Sequence, residues 1–326
     1  MSDSYEPIFD PERMAEPASG VLSRVSPFGV SRPPEVYVYH DCQTMLAVNL
    51  ALATGRPLLL SGLPGSGKTT LPRHVAQCLG WEYLEEVVTS RTQARDLQWR
   101  FDALRRLRDA QVRRSRIQDL SAYVEPGVLW WAFAPAAAYA ASAFARGRTA
   151  RGELAAIRGT VVLLDEIDKA EPDIPNDLLI PLGVNRILVE ETARTVPQQI
   201  RPLVCITTNG ERELPQAFLR RCVTHKLSPP SPEDLAAIGR KHHPEIEESV
   251  LSQVIALFGD LNRQAGAKGL RAPSIAELLD ALLACKSLKA KPAAAALNEI
   301  AVAAMWKDQE NRPDTVNTAG APGEEG

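Results

Sequence analysis

"GLPGSGKTT" (Gly62–Thr70) decides the reading of this chain. It follows the apolar run "PLLLS" (57–61) and precedes "LPRHVAQCLG" (71–80), which has helical spacing and a terminal glycine. A G-x-x-x-x-G-K-[ST] pattern between a strand and a helix is a phosphate loop. Gly62, Gly65 and Gly67 let the backbone curl so that successive N–H groups face an anion without Cβ clashes. The helix N-terminus adds its positive dipole end. Lys68 supplies a point charge to the β- and γ-phosphates, and the Thr69 hydroxyl is suited to Mg²⁺. The candidate binding set is Gly62, Pro64, Gly65, Ser66, Gly67, Lys68, Thr69 and Thr70, and the implied ligand is a nucleoside triphosphate.

Outward from the loop, short apolar runs alternate with helical patterns. "PLLLSG" (57–62), "YLEEVVTS" (83–90), "TVVLLDE" (160–166), "RPLVCITTN" (201–209) and the shorter "CVTHKLS" (222–228) read as strands. Such runs separated by helices predict a parallel sheet covered on both faces. Beyond Ser231 the pattern is helical throughout, with no further strand signal. A boundary falls at "SPPSP" (228–232), where proline stops any preceding strand.

Two carboxylates stand where the third apolar run ends, in "VVLLDEIDKA" (161–170). Asp165 is suited to hold Mg²⁺ through its water shell, and Glu166 to orient and polarise an attacking water. A phosphotransferase would not require a glutamate directly after the aspartate; a hydrolase does. Next comes "CITTNGERELPQAFLRRC" (205–222). Asn209 ends the fourth strand, placed to hold that water or contact the γ-phosphate. Arg220 and Arg221 follow on a short helix, from which an arginine can reach a neighbouring subunit's γ-phosphate. Such fingers contribute ~10³–10⁵ in rate, whereas a surface ion pair, the alternative use of both arginines, contributes little.

The ordered set GLPGSGKTT, VVLLDEIDKA, ITTN and LPQAFLRRC resembles the AAA+ ATPases. The wording "DEIDKAEPDIPNDLL" (165–179) and "ERELPQAFLRRC" (211–222) resembles the MoxR-like branch, over about residues 35–285. The resemblance implies a P-loop NTPase αβα core with a five-stranded parallel sheet and a C-terminal helical lid, commonly assembled as a hexameric ring. It implies ATP as the nucleotide, with Mg²⁺, and hydrolysis coupled to remodelling or activating a partner protein. MoxR-like proteins often work with a von Willebrand A-type partner. By the same resemblance Asn209 is sensor 1, and Arg221, or less favourably Arg220, is the finger. Arg271 in "GLRAPSIAELL" (269–279) stands where sensor 2 belongs. Tyr37–Tyr39, before the first helix, are assigned to the base pocket. Two other classes stay open: a slowly hydrolysing nucleotide-dependent switch of the kind used in bacterial defence signalling, and a nucleic-acid-stimulated motor.

The expected organisation is a flexible arm over 1–35 and a core over 36–229 carrying an insert at about 95–157. A helical lid follows over 230–306, then a disordered tail over 307–326. The insert is inferred because Lys68 and Asp165 are far apart for a core that needs only a strand and a helix between them. It contains six arginines between Arg105 and Arg116, interleaved with Leu104, Leu107, Ala110 and Val112. They read as an amphipathic helix with a solvated or subunit-contacting basic face, the alternative being nucleic acid or an acidic partner.

The uncharged stretch "VLWWAFAPAAAYAASAFA" (128–145) has the length of a membrane span. Lys68 and Asp165 must meet around one nucleotide, however, and a span between them would thread that unit through a bilayer. Pro135 also interrupts a continuous helix. Trp130, Trp131 and Phe133 are therefore expected to pack back on the core, and Ala136–Ala145 to continue as helix.

With 45% apolar and 24% charged residues and a net charge of −3, the 326-residue chain has no global pull toward polyanions. Its five scattered cysteines form no metal knuckle or C-x-x-C pair and read as reduced thiols of a cytoplasmic protein. The first residues show no basic-then-apolar order of a targeting peptide.

Overall fold

The computed structural model of the protein describes residues 6–13, 20–30, 37–39, 41–112, 119–142, 151–292 and 294–307. The chain forms two compact units, residues 1–63 with 67–227 and residues 64–66 with 228–326. In chain order the first unit contains α1 (Val21–Val25), α2 (Cys42–Thr54), β1 (Leu58–Ser61), α3 (Thr70–Leu79), β2 (Glu82–Val87), β3 (Trp99–Phe101), α4 (Ala103–Val112) and β4 (Val124–Pro126). There follow α5 (Val128–Phe133), α6 (Pro135–Ala141), α7 (Arg151–Ala155), β5 (Thr160–Asp165), α8 (Ile174–Val184), β6 (Arg186–Val189), β7 (Arg194–Pro197), β8 (Leu203–Thr208), α9 (Gln216–Leu219) and β9 (Val223–Lys226).

The five expected strands form one sheet in the order β2-β5-β8-β1-β9, with every pair parallel. Alternation along each strand divides its side chains between two faces. Leu58 and Leu60 join a core with Val161, Leu163 and Cys205, and Leu59 joins the opposite core with Leu84, Val162 and Ile206. Each of these buried side chains contributes about 1.5–3 kcal/mol by leaving water. The register sets Ser61 beside Thr208 and Asp165 beside Val87, so the carboxyl ends of β1, β5 and β8 open on one edge. Ligands of open α/β sheets bind outside that edge.

The described part of the uncharged stretch packs on the core. α5 ends at Phe133 with Ala134 as its C-cap, Pro135 opens α6, and Trp130, Trp131 and Phe133 are at most 1% exposed. Thr160 Oγ1 on β5 donates to the Ala132 carbonyl at 3.0 Å, and the N–H groups of Gln199 and Ile200 donate to that of Phe133. No helix among the described residues is long and apolar enough to cross a membrane. Residues 143–145 lie outside the described residues.

Within the stretch expected as an insert, β3 and β4 pair antiparallel and flank α4. Arg113, Arg114 and Arg116 lie outside the described residues. Arg105 folds back, donating to the Ala122 carbonyl at 3.3 Å with its guanidinium over the Tyr123 ring. Arg106 and Arg108 face solvent, and so do Leu104 and Leu107, at 76% and 57% exposure. The interleaved leucines thus find no core of their own unit.

Two features depart from the sequence reading. The β6–β7 hairpin was not anticipated; it turns through residues 190–193 with Ala193 at φ 50°, and the Trp99 indole N–H donates to its Leu188 carbonyl at 3.0 Å. The arm expected over 1–35 is, in its described parts, packed structure. Phe9, Val21 and Leu22 are at most 2% exposed, and the Asn49 amide clamps Phe9 by both its N–H and its carbonyl. The buried Glu82 carboxylate accepts from the N–H groups of Val21 and Leu22, and the Phe28 carbonyl accepts from Glu85 N. The physical reason is that β2 is an edge strand, and its unpaired edge is covered by the 20–30 segment. Residues 1–5, 14–19 and 31–35 lie outside the described residues, as does the expected tail from 308 onward.

The second unit is helical: α10 (Pro232–His242), α11 (Glu248–Lys268), α12 (Ile275–Ser287) and α13 (Ala295–Met305). Ser231 with Asp234 and Ser274 with Glu277 close capping boxes at the starts of α10 and α12. Leu251, Val254, Leu278, Leu282 and Leu297 form its separate core.

Candidate active site

The loop between β1 and α3 holds Gly67 at φ 89°, with the Tyr37 ring 3.0 Å from where a Cβ would stand. A side chain at 67 would be both strained and crowded. Lys68 is 7% exposed, and its ammonium donates to the carbonyls of Gly62 at 2.7 Å and Leu63 at 2.9 Å. Burial lowers its pKa, while Asp165, Asp168 and Glu166 act in the opposite sense. A cation held inside the loop and opposed by three nearby acids is arranged for an anion arriving from the open edge.

Asp165 ends β5 with its carboxylate 3.4–3.5 Å from the Thr69 hydroxyl. Thr207, fully buried on β8, donates its hydroxyl to Asp165 Oδ1 at 2.5 Å and accepts from Glu166 N at 2.9 Å. One hydroxyl therefore sets both acids. The sequence reading missed Thr207; its signal was the pair of polar residues, Thr207 and Thr208, closing an otherwise apolar buried strand.

Glu166 has φ 61° and ψ 50°, a left-handed conformation that costs a non-glycine residue about 1–2 kcal/mol. Its Oε1 accepts from Asn209 Nδ2 at 3.2 Å, and its Oε2 pairs with Lys169 Nζ at 2.5 Å. Asp168 is 3% exposed, and its Oδ2 accepts from the N–H groups of Asn209 and Glu211 at 3.1 and 3.0 Å. Arg212 Nη1 adds a bond to the Ala170 carbonyl at 3.2 Å. The acidic turn 166–170 and the loop 209–212 are thus joined at four points.

Lys68, Thr69, Asp165, Glu166 and Asn209 are brought together. Arg220 and Arg221 are exposed beyond α9; among the described residues neither makes an ion pair or a hydrogen bond with that cluster, and Arg221 Nη1 donates only to the Ala217 carbonyl at 3.5 Å. Arg271 lies in the second unit, where it pairs with Glu277 at 3.2 Å. Tyr37 is buried against the loop and meets Tyr39 edge-on, and the Tyr39 hydroxyl bonds His74 Nδ1 at 3.1 Å.

Among the described residues no group of three or more His, Cys, Asp or Glu forms a metal site by itself. A hydroxyl beside a single carboxylate matches the sparse oxygen set that Mg²⁺ takes when phosphate oxygens and water complete its shell. Thr69 and Asp165 are fitted to that role.

The family model of the AAA domain, dynein-related subfamily, matches residues 57–222, from the start of β1 to the arginine pair and Cys222. The chain belongs to this AAA family. The matched segment carries four of the five strands of the sheet, all but β9. No curated protein matches the chain. Among solved structures, a point mutant of RuvB from Thermotoga maritima is similar at 15% identity and a TM-score of 0.46, over 80% of this chain and 67% of that one. The FIGL-1 AAA domain, solved in complex with ADP, is similar at 16% identity and a TM-score of 0.42, over 82% of this chain and 79% of that one.

Proposed function

We propose that this AAA protein binds and hydrolyses Mg²⁺-ATP as a MoxR-like ATPase, assembles with further copies into a ring, and uses turnover to remodel or activate a protein partner. The observation that carries the reading is the meeting of Asn209 and Glu166 beside Asp165 and Thr69. A binding module needs only the loop and the metal carboxylate; a second carboxylate, set against an amide, serves a water. Lys68 and the loop N–H groups bind the phosphates, and Thr69 with Asp165 holds Mg²⁺, which neutralises charge on them when bound. Glu166 accepts the proton of the attacking water, and Asn209 orients that water. Arg221, exposed and without an ion pair among the described residues, is supplied to the next copy's site, with Arg220 the less favoured finger. Arg271 takes the sensor-2 role that the resemblance implies. A von Willebrand A-type client, a hexameric ring and a cytoplasmic setting follow from the resemblance to MoxR-like proteins.

One observation favours a second reading. Lys169 occupies one oxygen of Glu166 and Asn209 the other, which suits a slow switch whose base is restrained. Turnover of ATP and GTP with and without Mg²⁺, in wild type, Glu166→Gln and Lys169→Ala, tests both. Metal-dependent ATP turnover abolished by Glu166→Gln supports hydrolysis, and its persistence refutes the assignment. A several-fold rise in Lys169→Ala favours the switch.

A further inference from the structure

We propose that Asp168 is the positioning residue that sets Asn209 against Glu166, an inference that rests on the hydrolysis reading above. Its carboxylate is buried on the turn directly after the acid pair, yet its partners are backbone N–H groups of the loop leaving β8, 41 and 43 residues away. Between those two N–H groups stands Gly210 at φ 78°, its own N–H bonded to Thr208 Oγ1 at 3.0 Å. A left-handed residue flanked by converging N–H groups makes a small anion-binding concavity. Here the anion is supplied by the protein.

The consequence is geometric. Two N–H groups of the loop converge on one oxygen of a buried carboxylate, so the loop is tied through its backbone. The Asn209 side chain is left free to reach Glu166. Thr207 fixes the acid pair from below, through Asp165 Oδ1 and Glu166 N, and Asp168 fixes the amide opposite. Without Asp168 the Gly210 turn has no counter-charge, and Asn209 can drift by the ångström that matters in a site of this kind. Among the described residues Asp168 bonds the Asn209 and Glu211 backbone and forms no hydrogen bond to the Asn209 side-chain amide or the Glu166 carboxylate, so its effect passes through position.

The test compares Asp168→Ala with Asp168→Asn, which keeps an acceptor oxygen for both N–H groups. For ATP turnover, a misplacement of this size costs about tenfold to a hundredfold, and Asp168→Ala is expected to lose that much kcat with KM changed by less than about twofold. Asp168→Asn regains most of it. Amide exchange at Asn209 and Glu211 should accelerate in Asp168→Ala and stay near wild type in Asp168→Asn. Unchanged kcat in Asp168→Ala, a parallel loss of affinity, or an asparagine variant as impaired as the alanine one overturns the proposal. Wild-type protein that binds Mg²⁺-ATP without turnover ends the hydrolysis reading instead, and exchange at the two amides still reports whether the clamp exists.

Discussion

Asn209 Nδ2 stands 3.2 Å from Glu166 Oε1, so the amide that follows β8 meets the carboxylate that follows β5 across 43 residues of chain. Parallel pairing of β5 with β8 brings their carboxyl ends together, and the left-handed turn at Glu166 points its side chain toward the neighbouring loop's amide. Asn209→Ala is therefore expected to lower kcat by about tenfold to a hundredfold while leaving nucleotide affinity near wild type. Steady-state turnover beside a fluorescent-nucleotide titration measures the split.

Lys68 gives a pH dependence with a definite sign. Its pKa lies below 10.5 because burial outweighs the three acids. In the free protein, between that lowered value and 10.5, the unfolded chain binds more protons at this site, so the Lys68 contribution to stability rises with pH. Nucleotide binding requires the charged form, so ATP affinity should fall as pH rises through the lowered value. Phosphate titration, with a second pKa near ~6, is complete well before that. Titrations across the alkaline range read the slope; an affinity flat to pH 10.5 contradicts the placement of Lys68 at the phosphates.

Coverage of the β2 edge predicts a stability effect far from the site. Glu82→Ala leaves the N–H groups of Val21 and Leu22 without their acceptor in a buried setting, a loss of about 1–3 kcal/mol. Urea unfolding should show the shift, whereas Glu248→Ala, which removes a solvent-exposed pair with Arg240, should leave the midpoint unmoved.

The cysteines divide sharply. Cys42 is exposed, whereas Cys78, Cys205, Cys222 and Cys285 are buried. Burial pushes the Cys222 thiol up to about 12, with Arg56 acting weakly the other way. Under native conditions a maleimide should modify Cys42 quickly and the other four only on unfolding; rapid labelling of Cys222 would contradict the packing around α9.

What could be read from the sequence was what is set locally. Leu58–Leu60, Val161–Leu164 and Val204–Ile206 announce themselves because strands covered on both faces are apolar without interruption. The phosphate loop is legible because its glycines and Lys68 act within nine residues. The β6–β7 hairpin was hidden because its turn uses Ala193 at positive φ, with no Gly, Asn or Asp at that position to mark it. The packed N-terminal segment was hidden because Phe9, Val21, Leu22 and Phe28 are spaced irregularly among prolines and polar residues; only the edge of β2 gives Val21, Leu22 and Phe28 a place, and only Asn49 on α2 holds Phe9. Thr207 and Asp168 look like ordinary polar residues until the sheet sets them beside partners about 41 residues away.

The most direct test of the account is ATP turnover per subunit over a hundredfold range of protein concentration, with Glu166→Gln and Arg221→Ala measured alongside. The account predicts turnover per subunit that rises steeply with concentration and collapses in both variants, as the proposal that each site takes its arginine from the next copy requires. Turnover independent of concentration and indifferent to Arg221→Ala would contradict it.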